Sequence, residues 1–252
     1  MSKIKKIIIS WVSGITQTWI LDTELGISFI IGPNGAGKTT ALNLIDCLCQ
    51  KHMEQAEEYM WFINHIPIKG CEIHLNNNII LKIDNKKSII VQEQGNKHTY
   101  TSLDAYYKDW EMSSKAWSVR PIAKSGLFYT TEEEKNINAI FGSFSETTLE
   151  RVGEILEKFD FQKKLADISS IMAMSEGELN LIILLATLIQ APNDSIILIN
   201  KPEIFLHIEW QEELIKIIPS IINKKNKQVI VATHSPNIVV GCLDGIAQRI
   251  PS

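Results

Sequence analysis

A glycine-rich segment near the start of the chain carries the residue types that hold a polyphosphate. Residues 32–39 fit the pattern G-x-x-x-x-G-K-[ST] at every fixed position: Gly32, Gly37, Lys38 and Thr39. Such glycines let backbone N–H groups turn toward an anion, and the helix that follows directs its positive end at the same point. The lysine reaches the β- and γ-phosphates, and the threonine hydroxyl ligates Mg²⁺. The segment therefore predicts ATP and Mg²⁺ as cofactors, with Thr39 as a metal ligand.

The elements around this segment are those that the motif requires. The apolar run Ile27–Ile31 is typical of a buried strand, and apolar residues at helical spacing predict a helix over 38–50. In the last third of the chain, buried strands alternate with helices, predicted in chain order over 178–190 (helix), 195–199 (strand), 207–222 (helix) and 228–232 (strand). Pro219 is expected to kink the later helix or to end it early. Strand–helix–strand alternation predicts a mostly parallel sheet covered on both faces, so the fold class is α/β.

The middle of the chain differs in character. Three short strand-like runs with polar turns, the alternating run 71–75 and the apolar runs 79–83 and 89–92, predict an antiparallel β patch, because such short loops cannot form parallel crossovers. A more polar stretch follows, and we expect a small helical lobe over about 100–172, including a helix over 146–159. We predict a single domain covering 1–252.

The amino-acid composition excludes several classes of protein. The chain has 252 residues, a formal net charge of −4, 45% hydrophobic and 21% charged residues, which excludes overall disorder and a globally basic nucleic-acid binder. No apolar run reaches the roughly 18 residues of a membrane helix, so we predict a cytoplasmic protein without membrane partners. The four cysteines are predicted to be reduced core residues. Short lysine clusters are predicted to be solvated faces rather than a nucleic-acid track, so nucleic-acid binding has no support; they comprise Lys5, Lys6, Lys86, Lys87, Lys224, Lys225 and Lys227.

Three further motifs follow the glycine-rich segment in order. Met174-Ser175-Glu176-Gly177-Glu178 opens an apolar helix, Asn200-Lys201-Pro202-Glu203 follows one buried strand, and Thr233-His234 follows the next. Together they resemble the head of ABC-type ATPases, in which a P-loop is followed by a signature, a Walker B strand and a switch histidine. The residues after the Walker B strand look like the soluble ATPases related to RecF and OLD, of the AAA_15/AAA_21-like kind. Compact members of that group occur in antiphage systems such as Septu and PARIS.

The resemblance implies a nucleotide sandwich between two subunits. Ser175 and the backbone of Gly177 would contact the γ-phosphate held by Lys38 of a partner, which is either a second copy or a paralogous ATPase. His234 would sense that phosphate. A glutamine that ligates Mg²⁺ is also expected, and Gln92 and Gln94 are candidates that no local pattern separates. The resulting predicted nucleotide contacts are Gly32, Pro33, Asn34, Gly35, Ala36, Gly37, Lys38, Thr39, Thr40, Ser175 and Gly177.

The chain departs from the family pattern where water would be activated. The family has Asp-Glu at the end of the Walker B strand, whereas this chain has Asn200-Lys201. Asn200 can accept a hydrogen bond from a metal-bound water but carries no charge, and Lys201 is no base at neutral pH unless it is strongly desolvated. Loss of the water-activating group is expected to slow hydrolysis by roughly 10²–10⁴-fold. We therefore expect an ATP-binding subunit with weak or absent hydrolysis.

Alternatives remain open from the sequence. Glu203 or His234 could restore turnover, so the catalytic candidates are His234, Asn200, Lys201 and Glu203. A paralogous subunit could supply the missing base, or the chain could be an active DNA-linked ATPase of the RecF/OLD type. Only 252 − 234 = 18 residues follow His234, so we expect the nuclease or toxin effector of a switch to be a separate protein.

Overall fold

The computed structural model describes residues 3–10, 18–23, 26–49, 56–66, 69–109, 116–119, 131–159, 161, 173–222, 226–240 and 246–249. Eleven strands are present among them: β1 (Ile4–Ser10), β2 (Trp19–Asp22), β3 (Ile27–Ile31), β4 (Gly70–Leu75), β5 (Ile80–Ile83), β6 (Ile89–Glu93), β7 (Asn96–Tyr100), β8 (Ala116–Val119), β9 (Ile196–Asn200), β10 (Gln228–Thr233) and β11 (Ile246–Arg249). The α-helices are α1 (Lys38–Cys49), α2 (Ala56–His65), α3 (Leu103–Asp109), α4 (Thr131–Gly142), α5 (Glu146–Leu156), α6 (Glu176–Gln190), α7 (Ile208–Ile222) and α8 (Pro236–Val240).

The strands form two sheets that confirm the predicted α/β class. One sheet has the order β11-β3-β10-β9-β8, and all four neighbouring pairs are parallel. The other has the order β2-β1-β4-β5-β6-β7 and is antiparallel throughout. The antiparallel part is thus a six-stranded sheet, larger than the predicted three-strand patch, because β1, β2 and β7 join it.

The parallel strands separate two apolar cores because their side chains alternate between the faces. Ile196, Leu198 and Ile230 pack on one face with α1 and the antiparallel sheet. Ile197 and Val231 point to the other face, where α5, α6 and α7 cover them. Helix α1 therefore lies between the two sheets, with its N-terminus at the carboxyl end of β3. The sheet is covered on both faces, as its continuous apolar strands predict.

Two sequence expectations need correction in this framework. Helix α7 does not end early at Pro219 but continues to the predicted end at Ile222, because Ile218, Ile221 and Ile222 are all buried against the core. A kink at Pro219, the other alternative, stays a prediction. The predicted helical lobe contains α4 and α5, but residues 116–119 form β8, an edge strand paired with β9. Four residues give too short a pattern to separate an edge strand from loop.

Lysine and cysteine placements test two further expectations. Lys227 is not part of a solvated face: it is 2% exposed, and its ammonium donates to the carbonyls of Leu188 and Ile189 in the last turn of α6. Cationic side chains favour this position because helix carbonyls carry partial negative charge there. Lys224 and Lys225 lie outside the described residues.

The cysteine expectation is confirmed for Cys47, Cys49 and Cys71, which are free and buried. Burial raises the pKa of the Cys71 thiol to about 12, so it stays protonated. Cys242 lies outside the described residues. Within the described ranges, no helix combines the length and apolarity needed to cross a bilayer.

Candidate nucleotide site

The glycine-rich segment forms the predicted turn between β3 and α1. Gly35 and Gly37 adopt φ values of +79° and +91°, a backbone region that residues with a Cβ rarely enter. The amide of Ala36 donates to the Pro33 carbonyl at 3.3 Å, and the amide of Ala41 begins the helix by donating to Gly37 at 2.8 Å. Asn34 is exposed and Thr40 is partly buried in the first turn of α1. The sequence pattern thus produces a tight loop that ends at a helix N-terminus.

Lys38 lies at the centre of this loop. Its Nζ donates to the carbonyls of Gly32 and Pro33, both at 2.8 Å, and lies 3.1 Å from Nδ1 of His234. Burial lowers the pKa of Lys38, Lys201 lowers it further, and Glu203 opposes the shift. The ammonium is therefore held where the loop, the end of β10 and the end of β9 converge.

The end of β9 meets the loop through two polar side chains. The Thr39 hydroxyl donates to Oδ1 of Asn200 at 3.3 Å. Lys201 follows with φ +53°, and its amide donates to the Ala232 carbonyl of β10 at 2.7 Å. Phe205, in the same turn, has φ +65°. The turn after β9 thus holds two residues other than glycine in the left-handed backbone region.

Both carboxylate oxygens of Glu203 accept hydrogen bonds from the end of β10 and the residue that follows it. Its Oε2 accepts from the Thr233 hydroxyl and its Oε1 accepts from the backbone N–H of His234, both at 2.8 Å. Burial lowers the pKa of His234, and Lys38 and Lys201 add to this effect against the opposing charge of Glu203. The imidazole is therefore held neutral, with Nδ1 able to accept from Lys38. Glu203 positions the histidine backbone rather than pointing at the loop.

The signature residues begin α6 as a capping box. The Ser175 hydroxyl accepts from the amide of Glu178 at 3.3 Å, and the Glu178 carboxylate accepts from the amide of Ser175 at 2.6 Å. Gly177 lies against the turn after β9: a Cβ there would come within 2.3 Å of the Phe205 carbonyl oxygen. The helix that carries the signature therefore touches the segment that carries Lys201 and Glu203.

The residues present fit a triphosphate better than they fit Mg²⁺. The positive-φ glycines, the N-terminus of α1 and Lys38 form a cradle for an anion. For a metal, this edge offers the Thr39 hydroxyl and the Asn200 amide, which are neutral, and a lysine follows them. Across the described ranges, no group of three or more His, Cys, Asp and Glu side chains is arranged to hold a metal ion. Mg²⁺ is usually held through one or two carboxylates together with substrate phosphates.

Most of the predicted residues are thus brought together at one edge of the parallel sheet. The sequence did not predict that Ala232 and Thr233 hold the turn after β9 against β10 through hydrogen bonds. The one sequence signal for this contact was the Thr233-His234 pair at the end of a strand. The glutamine candidates lie in the antiparallel hairpin, Gln92 in β6 and Gln94 in the turn before β7, and both are exposed.

Comparison with known structures identifies the architecture. The SMC head domain from Thermotoga maritima has a TM-score of 0.58 and 15% identity, covering 96% of this chain and 92% of that chain. An SMC head bound to the C-winged helix domain of ScpA has a TM-score of 0.62 and 15% identity, covering 95% and 91%. A putative ABC transporter ATP-binding protein from Pyrococcus furiosus has a TM-score of 0.50 and 16% identity, covering 97% of each chain. The fold is that of an SMC- and ABC-type ATPase head.

Sequence comparison agrees with this fold and assigns the chain to a particular family. Residues 54–240, more than half of the chain, match the family described as "AAA domain, putative AbiEii toxin, Type IV TA system". The chain belongs to this family. It is also 25% identical over 301 aligned residues to the Septu protein PtuA of Bacillus thuringiensis, covering 95% of this chain and 73% of that protein. The predicted resemblance to antiphage ATPases of the ABC type is confirmed.

Proposed function

We propose that this chain is the ATP-binding subunit of an antiphage system and that it acts in the cytoplasm as a nucleotide-gated switch for a separate effector protein. It hydrolyses ATP slowly or not at all. One observation carries this proposal: Thr39 of the phosphate loop faces Asn200 at 3.3 Å, and Lys201 follows, where the family has an acidic pair. The phosphate cradle is retained while the acidic groups that activate water are replaced.

The neighbouring carboxylate supports slow hydrolysis. Both oxygens of Glu203 accept hydrogen bonds from the end of β10, so a base role would require breaking contacts that position His234. The neutral His234 already accepts from Lys38 through Nδ1. Without a base that positions water, the rate of ATP hydrolysis should fall by roughly 10²–10⁴-fold relative to a head with the acidic pair.

The part of the switch that responds to nucleotide is the contact between the signature helix α6 and the turn after β9, where Gly177 lies against Phe205. Ser175 is exposed at the N-terminus of a 15-residue helix, which favours an anion at that end. In the resembled heads this end faces the nucleotide of a second subunit. A triphosphate bound there would contact Gly177, which lies against Phe205. Through this contact it would affect the turn that carries Lys201 and Glu203. Nucleotide occupancy is thereby linked to subunit pairing.

Light scattering with and without saturating ATP tests this switch. The wild type should pass from monomer to dimer when ATP is added, because each triphosphate bridges two subunits. Lys38→Ala removes the loop ammonium and should stay monomeric. Wild type that binds ATP and stays monomeric would contradict pairing with itself and favour a paralogous partner. Steady phosphate release stimulated by DNA would contradict the switch and favour a DNA-linked ATPase.

A further inference from the structure

The edge of the phosphate loop where a metal would lie carries positive charge instead of negative charge. An Asp-Glu pair after β9 would contribute two negative charges, whereas Asn200 and Lys201 together contribute one positive charge. Asn200 is in place beside Thr39, at 3.3 Å from its hydroxyl, so the neutral amide occupies the position of the metal-binding carboxylate. This edge offers a divalent cation little charge compensation.

Lys201 acts on the same region as the loop lysine. It directly follows Asn200, whose Oδ1 accepts from the Thr39 hydroxyl of the loop at 3.3 Å, and its own amide donates to the Ala232 carbonyl, two residues before His234. Two ammonium groups, those of Lys38 and Lys201, therefore lie at the edge where the phosphate loop meets the end of β9. Such a cluster repels a cation and attracts a polyanion.

The position of Lys201 is fixed by its backbone. The residue is held at φ +53° by the 2.7 Å hydrogen bond from its amide to the Ala232 carbonyl. Glu203 keeps its negative charge near this edge, but its two oxygens accept from the Thr233 hydroxyl and the His234 amide and are not directed at the loop. The strained backbone therefore holds a cationic residue at the turn beside the loop.

We infer that this site binds the triphosphate with little dependence on Mg²⁺, because Lys201 supplies positive charge that a divalent cation supplies in heads with an acidic pair. The inference rests on the proposed function, since it presupposes that the chain binds ATP. It assigns Lys201 as a nucleotide-binding residue that replaces metal charge, rather than as a lost catalytic residue. It concerns binding and requires no hydrolysis.

Isothermal titration of the wild type with ATP, once with Mg²⁺ and once with EDTA, tests this inference. The wild-type Kd should differ by less than about threefold between the two conditions. Asn200→Asp/Lys201→Glu restores the acidic pair and should bind about tenfold or more weakly in EDTA than with Mg²⁺. Lys201→Asn removes the charge but tolerates positive φ, and should show an intermediate dependence.

The outcomes separate the two proposals. A wild type that loses about tenfold or more in affinity when Mg²⁺ is removed would overturn the inference while leaving ATP binding intact. A wild type that binds ATP in neither condition would overturn the proposed function and the inference with it. If Lys201→Asn retains the wild-type affinity in EDTA, the charge of Lys201 is not what replaces the metal, and the inference fails even where the double variant misfolds.

Discussion

Gly177→Ala tests the contact that joins the signature helix to the turn after β9. The added Cβ would lie 2.3 Å from the Phe205 carbonyl oxygen, closer than real Cβ contacts come. The atom it meets is backbone, so no side-chain rotation relieves the clash. Either α6 or the turn must shift. We expect lower stability and weaker ATP binding, because the turn also holds Lys201 and Glu203.

The magnitude follows from comparison with a glycine that has free space. A Cβ at Gly153, inside α5, meets nothing within 4 Å. Removing a glycine from the middle of a helix gains about 0.5–1 kcal/mol, so Gly153→Ala should stabilise the protein. Gly177 lies in the first turn of α6, where this gain is smaller, and the clash there should cost about 1–3 kcal/mol in the free energy of unfolding. This cost corresponds to about 2–4 °C in Tm for each kcal/mol.

Urea unfolding followed by circular dichroism measures both variants, and titration with ATP measures the site. Gly177→Ala should unfold at lower urea than the wild type and bind ATP more weakly, whereas Gly153→Ala should unfold at higher urea and bind normally. If Gly177→Ala is as stable as Gly153→Ala, the close approach to Phe205 is wrong. If it is less stable but binds ATP normally, the turn does not transmit the shift to the loop.

Two further predictions concern buried and partly buried basic groups. Lys227→Met leaves the last carbonyls of α6 without their ammonium donor and should lower the free energy of unfolding by about 1–3 kcal/mol. The control Lys216→Met, at an exposed position, should have little effect in the same urea series. His234 has a folded-state pKa below its ordinary value of 6.5 because of burial, Lys38 and Lys201. Between about pH 7.5 and 5.5 the unfolded chain therefore binds more protons than the folded chain, so the wild type should lose stability relative to His234→Asn as the pH falls. A stability difference between the two proteins that does not change with pH would contradict the lowered pKa of His234.

The sequence was most informative where a pattern is long or has fixed positions. The phosphate loop, α1 and the strands β3, β9 and β10 were predicted because continuous apolar runs flank motifs with defined spacing. The strand β8 was missed because its four residues pair only at an edge, and α7 passes Pro219 because burial of its last turn outweighs the proline. These outcomes depend on tertiary packing that local periodicity does not contain.

Within the site, sequence order placed the candidate residues but not their contacts. The pairing of Glu203 with Thr233 and the His234 backbone depends on β9 and β10 lying side by side, which the spacing of motifs does not specify. The same holds for the contact of Gly177 with Phe205. Lys227 looked like one of several exposed lysines, and only the packing of α6 shows that it is buried.

The rate of phosphate release under saturating ATP and Mg²⁺ tests the central claim most directly. It should be measured for the wild type and for Asn200→Asp/Lys201→Glu, with Lys38→Ala as the background. We predict a wild-type rate close to that background despite measurable ATP binding, and a gain of roughly 10²–10⁴-fold when the acidic pair is restored. A wild type that already turns over rapidly, with no gain in the double variant, would contradict the account.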